Sequence, residues 1–235
     1  MPEGASYKFE IVRTDNENPE ESPEYVRTPL KGNGDFRSPE CRALLEECDI
    51  VVTNPPFSLM KEYLPLIIGA GKQFIILGNM NHITIKELFP YFQSGSVWLG
   101  YNSGHFWFRV PDYYEEKKTD FKVDETGKKL RRMGNICWFT NLDIPKRHKR
   151  LNLYKHYNRD EFPTFDNFDG INVNQTSDIP FDYDGLIGVP ISYMGYHCPE
   201  QFEIVGLDDP EQWLGHGPLL NGKVKYRRLI IKPIE

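Results

Sequence analysis

Asp49-Ile50-Val51-Val52-Thr53-Asn54-Pro55-Pro56-Phe57-Ser58 is the stretch on which the fold turns. Its first five residues form a short β-branched apolar run, which predicts a buried strand. The double proline stops that strand, because proline gives no N–H to a ladder. Beyond it Leu59, Met60, Tyr63, Leu64, Ile67 and Ile68 recur at helical spacing. A helix follows, kinked at Pro65 and closed by Gly69 and Gly71. Before it, Ser38 can cap a helix that has Pro39 in first position and Glu40 near the positive dipole end, running to about Glu47. Further out, Gln73–Leu77 is a strand ending at Gly78-Asn79. Thr84-Ile85-Lys86-Glu87 matches a capping box that opens a helix to about Phe92. Ser96–Leu99 and Asn135–Thr140 are two more strands. Strands alternating with helices at this spacing predict an α/β fold with a mostly parallel sheet.

Ligands of open α/β sheets bind beyond the carboxyl ends of the strands, where Asn54-Pro55-Pro56-Phe57 lies. Pro55 and Pro56 have fixed φ and no N–H, so this elbow is stiff and rich in acceptors. An amino group conjugated to a heteroaromatic ring is a poor nucleophile, because its lone pair is delocalised. The Asn54 side-chain oxygen and the Pro55 carbonyl can hold both amino hydrogens. That orients the lone pair and stabilises the positive charge that develops on attack. Phe57 offers a face on which a flipped base can stack.

The 235 residues are 39% hydrophobic and 26% charged, a globular composition that excludes collagen-like and fully disordered classes. No apolar run approaches the roughly 18 residues of a membrane helix, and the N-terminus has no secretory pattern. No membrane association and a cytoplasmic location are expected. Cys41, Cys48, Cys137 and Cys198 form no C-x-x-C pair, and the six histidines show no ligand spacing. Reduced thiols and no metal site are expected.

Net charge is −6, yet residues 117–150 carry eleven Lys/Arg against four Asp/Glu. Lys117, Lys118, Lys128, Lys129, Arg131, Arg132, Lys146, Arg147, Lys149 and Arg150 are candidate contacts to a phosphate backbone; a solvated loop is the alternative. Residues 14–26 are acidic and proline-containing and read as a loop. Residues 101–134 read as a long polar insertion. Trp98, Trp107 and Trp138 read as packing, whereas Phe106-Trp107-Phe108, beside the basic run, also suits a wedge or stacking role. The domain reading is a catalytic α/β unit at 1–142 carrying that insertion, then a β-rich appended region at 143–235 that contributes to target recognition.

Asp49–Ser58 resembles the catalytic stretch of amino-methyltransferases that use S-adenosylmethionine. Thr28–Cys41, Phe74–Thr84, Val97–Gly104, Gly134–Asp143 and the segment FDNFDGINVNQTSDIPFDYDGLIGVPISYMGYHCPEQFEIVG are similar to the EcoRI family of adenine-specific DNA methyltransferases. The resemblance implies a Rossmann-like methyltransferase sheet and site-specific methylation of adenine N6 in double-stranded DNA with base flipping. It also implies S-adenosylmethionine as cofactor and a cognate restriction endonuclease system. Asn54, Pro55, Pro56 and Phe57 match the family's catalytic loop. Asp35 and Phe36 stand where such enzymes place an acid and a ring against the cofactor's adenine. The glycine loop and ribose-binding acid of the family have no counterpart before Asn54: GNGDF (32–36) follows no clear strand, and Gly185–Gly188 is the nearest substitute. The sheet is therefore expected to be incomplete at its N-terminal part, with a second chain as one source of the missing loop. Two alternatives stay open: a catalytically incomplete DNA-binding remnant or one subunit of a split enzyme, and a methyltransferase acting on an RNA base or a glutamine amide.

Overall fold

The structure is a computed structural model that describes residues 6–12, 24–207 and 218–234, with backbone alone at 12, 24 and 102–105. It opens with an antiparallel hairpin of β1 (Tyr7–Val12) and β2 (Glu24–Pro29). Residues 24–26, read above as loop, thus belong to a strand; residues 14–23 lie outside the described residues. The turn after β2 holds GNGDF, so this glycine turn does follow a strand, contrary to the sequence reading. It leads into α1 (Pro39–Glu47), where Ser38 Oγ accepts from the Cys41 amide and Pro39 stands in the first turn as expected.

β3 (Ile50–Thr53) is the strand before the double proline. α2 (Met60–Gly69) buries Met60, Leu64 and Ile67, one stripe at helical spacing, and Gly71 at φ +67° turns the chain. β4 (Gln73–Asn79) buries Phe74, Ile76 and Gly78 in alternation and pairs in parallel with β3. The capping box expected at Thr84–Glu87 does not form, and α3 is only Phe89–Gln93. Pro90 stands instead in the first turn of α3, where its missing N–H has no helical partner to lose. The box forms earlier, where the Asn79 and His82 side chains cap a 3-10 turn at Met80–Thr84.

β5 (Trp98–Arg109), β6 (Phe121–Val123) and β7 (Lys129–Thr140) follow. The polar insertion at 101–134 is thus strand at both ends, with irregular chain at 110–120. β5 and β7 continue outward as a long antiparallel ribbon, with β6 against the start of β7. The sheet order is β3-β4-β7-β5. Only β3 and β4 run parallel; β7 enters between β4 and β5 antiparallel to both. The sheet is mixed, which corrects the mostly parallel expectation. The alternation rule located the strands, but a chain that doubles back as a ribbon must pair antiparallel.

β8 (Gly170–Asn172), β9 (Leu186–Pro190), β10 (Phe202–Leu207), β11 (Leu219–Leu220), β12 (Lys223–Val224) and β13 (Arg228–Pro233) complete the described chain. A second mixed sheet has the order β10-β13-β9-β8. Gly185–Gly188 enters buried β9 and is no cofactor loop; a Cβ at Gly188 would strike the Phe165 ring at 2.6 Å. One cluster of buried side chains runs from Leu64, Phe74 and Phe139 through Phe202 to Val189 and Leu229, joining the two sheets. The Gln93 amide adds a 2.8 Å bond to the Val205 carbonyl. No helix among the described residues is long and apolar enough to cross a membrane.

Candidate active site

Thr53 pairs with Ile76, so Asn54 leaves the sheet at the carboxyl end of the parallel pair. Pro55 is buried, while Asn54 and Pro56 are exposed. The Leu59 amide donates to the Pro56 carbonyl at 3.0 Å, closing a 3-10 turn over Phe57–Leu59 that feeds α2. The elbow is thus pinned at both ends by regular structure.

Asn54 and Phe57 line a cavity of about 560 Å³, within the range of small-molecule sites. Leu77 of β4 and Phe108, Arg131, Met133 and Ile136 of the β5–β7 ribbon also line it, with Val110 and Tyr114 from the chain after β5. Such a pocket suits a flat heteroaromatic ring whose polar edge meets Asn54. Asn54 and Phe57 are therefore brought together; Pro55 is buried behind them and Pro56 faces outward.

Phe57 is half-buried and meets the His82 imidazole edge-on, with ring centroids 5.5 Å apart and planes at 89°. His82 Nδ1 accepts from the Asn79 amide at 3.3 Å, which leaves the proton on Nε2. Burial pushes its pKa below 6.5, so the ring is neutral at pH 7. Sequence reasoning missed this support. The signal was in Asn79-Met80-Asn81-His82, where an Asn after a strand is a capping residue.

Asp35 and Phe36 lie elsewhere. Phe36 packs edge-on against Tyr63, centroids 4.9 Å apart, in an apolar cleft of about 300 Å³ walled by Leu44, Leu45, Ile50 and Val51. Asp35 is clasped by Arg37, which donates to Oδ1 from its amide (2.8 Å) and Nε (2.9 Å) and to Oδ2 from Nη2 (2.7 Å). These bonds pull its pKa to about 2. The glycine turn at 31–32 spends its amides on Glu40, whose carboxylate accepts from Lys31 and Gly32 at 3.1 to 3.2 Å. Phe36 offers one face to an aromatic ring in this cleft, and Asp35 Oδ2, which accepts one bond from Arg37, keeps acceptor capacity beside it.

The basic residues fall into two groups. On the ribbon, Lys117 and Lys118 are exposed, and Lys128 lies in the β6–β7 turn, its amide bonded to Asp124. Lys129 Nζ donates to the Tyr114 carbonyl (2.9 Å) and Arg132 Nε to Asp120 (2.6 Å). Arg131 turns into the Asn54 cavity. In the turn after β7, Lys146 Nζ donates to the carbonyls of Gly100 and Tyr101, and Arg147 stacks on Trp98 at 3.7 Å. Lys149 and Arg150 are exposed and share a cleft of about 310 Å³ with Lys146 and Tyr196. His148 bridges Asp143 and Glu200, each at 2.6 Å. All four cysteines are thiols. Trp107 is partly exposed beneath Lys122 Nζ, 4.5 Å from its ring.

The family of adenine-specific methyltransferases named for EcoRI matches residues 2–228. The chain belongs to this family. The Type II methyltransferase M.EcoRI of Escherichia coli is 44% identical over 209 residues, covering 86% of this chain and 62% of that protein. A Type II methyltransferase of Mycoplasma genitalium is 38% identical over 227 residues, 88% of this chain and 71% of the relative. One from Mycoplasma pneumoniae is 34% identical over 229 residues, 89% and 72% respectively. The chain thus spans 62% of the Escherichia coli member of the EcoRI family. No solved structure matches it. The family implies S-adenosylmethionine as methyl donor.

Proposed function

We propose that this chain acts in methylation of the N6 amino group of adenine in double-stranded DNA, with the target base flipped into the Asn54 cavity. One observation carries the reading: Asn54 and Phe57 line the same cavity of about 560 Å³ at the carboxyl end of β3 and β4. Asn54 Oδ1 and the Pro55 carbonyl accept the two amino hydrogens. This draws the nitrogen lone pair out of conjugation and stabilises the positive charge that grows on it. Phe57, buttressed by His82, covers the ring. S-adenosylmethionine supplies an electrophilic methyl group. The amino proton then leaves to water, so no general base is required.

In this reading the exposed cations Lys117, Lys118, Lys149 and Arg150 meet backbone phosphates, residues 143–235 contribute to target recognition, and a cognate endonuclease cleaves unmethylated sites. The test is incubation of the chain with unmethylated duplex DNA and methyl-labelled S-adenosylmethionine, followed by nucleoside analysis. Label in N6-methyladenine is expected; label in cytosine, or in RNA but not DNA when RNA replaces the duplex, contradicts it.

A second reading is favoured by the outer edge of β3. This edge has no partner strand among the described residues, and Ile50 and Val52 are 47% and 69% exposed. It supports an arrangement in which another polypeptide completes the sheet and holds the methyl donor. Calorimetric titration with S-adenosylmethionine separates the two. Stoichiometric binding by the chain alone favours the first, and absence of heat the second.

A further inference from the structure

Arg131 lies mid-ribbon on β7, opposite Phe108 of β5 and Phe121 of β6. Pairing on both sides fixes its backbone, and its side chain forms part of the wall of the Asn54 cavity. Its Nη1 is buried and has no hydrogen-bond acceptor. No ion pair among the described residues reaches it. Its neighbour Arg132 is satisfied by Asp120, and Asp124 spends Oδ1 on the Thr126 and Lys128 amides. The other lining residues are Asn54 and apolar or aromatic side chains, so the cavity contains a cation with no counter-charge. Tyr114, 5.9 Å from ring centroid to guanidinium, sits beside it.

A buried donor of this kind is costly until an acceptor arrives, and a cation costs most in apolar surroundings. The chemistry adds a second demand. The adenine nitrogen becomes positive during methyl transfer, and an uncompensated guanidinium in the same cavity opposes that. A ligand that brings its own anion meets both demands, and a flipped nucleotide has one at its sugar. We infer that Arg131 binds the phosphate of the nucleotide whose base occupies the cavity. Its planar fork matches phosphate oxygens, and a guanidinium–phosphate pair also cancels the charge that a neutral base would leave uncompensated. The inference rests on the proposed function and adds a ligand group to it. Arg131 here anchors the target nucleotide itself, unlike the exposed cations along the DNA backbone.

The test uses the whole chain and two probes, 2′-deoxyadenosine and 2′-deoxyadenosine 3′,5′-bisphosphate, in NMR titrations. The bisphosphate is expected to bind at least about tenfold more tightly, as a charge-assisted bond provides, and to lose that advantage as salt rises. Arg131→Gln is expected to abolish the preference and Arg131→Lys to keep part of it. Arg42→Gln, an exposed cation on α1 outside the cavity lining, is expected to retain it in full. Equal binding of the two probes by the unaltered chain overturns the inference while leaving the base-binding reading intact. An equal loss of both probes in an Arg131→Gln variant whose circular dichroism and melting match the unaltered chain also overturns it, showing that Arg131 reads the base. If neither probe perturbs the cavity residues, the inference and the proposed function fall together. The comparison within the unaltered chain needs no variant, so a folding defect in Arg131→Gln does not remove the test.

Discussion

His82 meets Phe57 edge-on, with centroids 5.5 Å apart, and so ties the end of β4 to the elbow that follows β3. The pair couples a cap to a ring. Asn79 fixes the imidazole, and the imidazole fixes the angle of Phe57 over the cavity. His82→Ala removes an aromatic pair worth about 0.5–1.5 kcal/mol and half of a capping box worth about 1 kcal/mol. Thermal denaturation should show a loss of about 1.5–2.5 kcal/mol from these terms. Methylation should fall further than DNA affinity, because the base loses its platform. A variant with full stability and unchanged methylation would show that the contact is incidental.

His148 links Asp143 to Glu200 and so joins the turn after β7 to the segment before β10. Both carboxylates raise the His148 pKa above 6.5. The folded chain therefore holds this proton more tightly than the unfolded chain, and the stabilisation is complete below 6.5 and lost as pH rises through the folded value. Glu200, bonded to Cys198 and His148, is pulled from 4.5 to about 2, so its contribution is present above 4.5 and lost as pH falls towards 2. The link is strongest between these limits. Melting temperature against pH should show a shoulder there that His148→Asn flattens; identical profiles would exclude the link.

Gly78 is buried on β4, and a Cβ there would lie within 2.6 Å of Phe139 Cδ2 at the ring edge. Phe139 is fully buried and cannot withdraw. Gly78→Ala should cost about 1–3 kcal/mol through overpacking, measured by denaturant unfolding. A neutral outcome would mean that the sheet and ring do not approach as described.

The open edge of β3 carries exposed Val52. Such edges invite pairing with another strand, and a charge blunts them. Val52→Lys should reduce self-association in light scattering and change stability by no more than about 0.5 kcal/mol, as for other surface substitutions. Undiminished association would place the sticky surface elsewhere; Phe9, Ile11 and Tyr25 on the hairpin are the next candidates.

The strand–elbow–helix at 49–69 was legible because local rules agree there: β-branched residues, then prolines, then an apolar stripe. Ser38 and Pro39 were legible for the same reason. What failed was non-local. Nothing local in Gly100–Gly134 says that β5 and β7 pair as a ribbon with β7 beside β4, since register depends on partners distant in sequence. Arg131 and Arg132 are adjacent and alike in composition. Strand alternation sends one into the cavity and the other to Asp120, a distinction that requires the register. His82 was missed because its role depends on a ring 25 residues upstream.

The account rests on the Asn54 elbow recognising a conjugated amine, and binding tests this without any methyl donor. The chain and Asn54→Ala are each titrated with 2′-deoxyadenosine and with purine 2′-deoxyriboside, which carries hydrogen in place of the amino group. The unaltered chain should bind the amino compound about 30-fold more tightly, as expected for two hydrogen bonds of about 1 kcal/mol each, and the Asn54→Ala variant, which keeps the Pro55 carbonyl, should fall to about fivefold. Equal affinity of the unaltered chain for the two nucleosides contradicts the account.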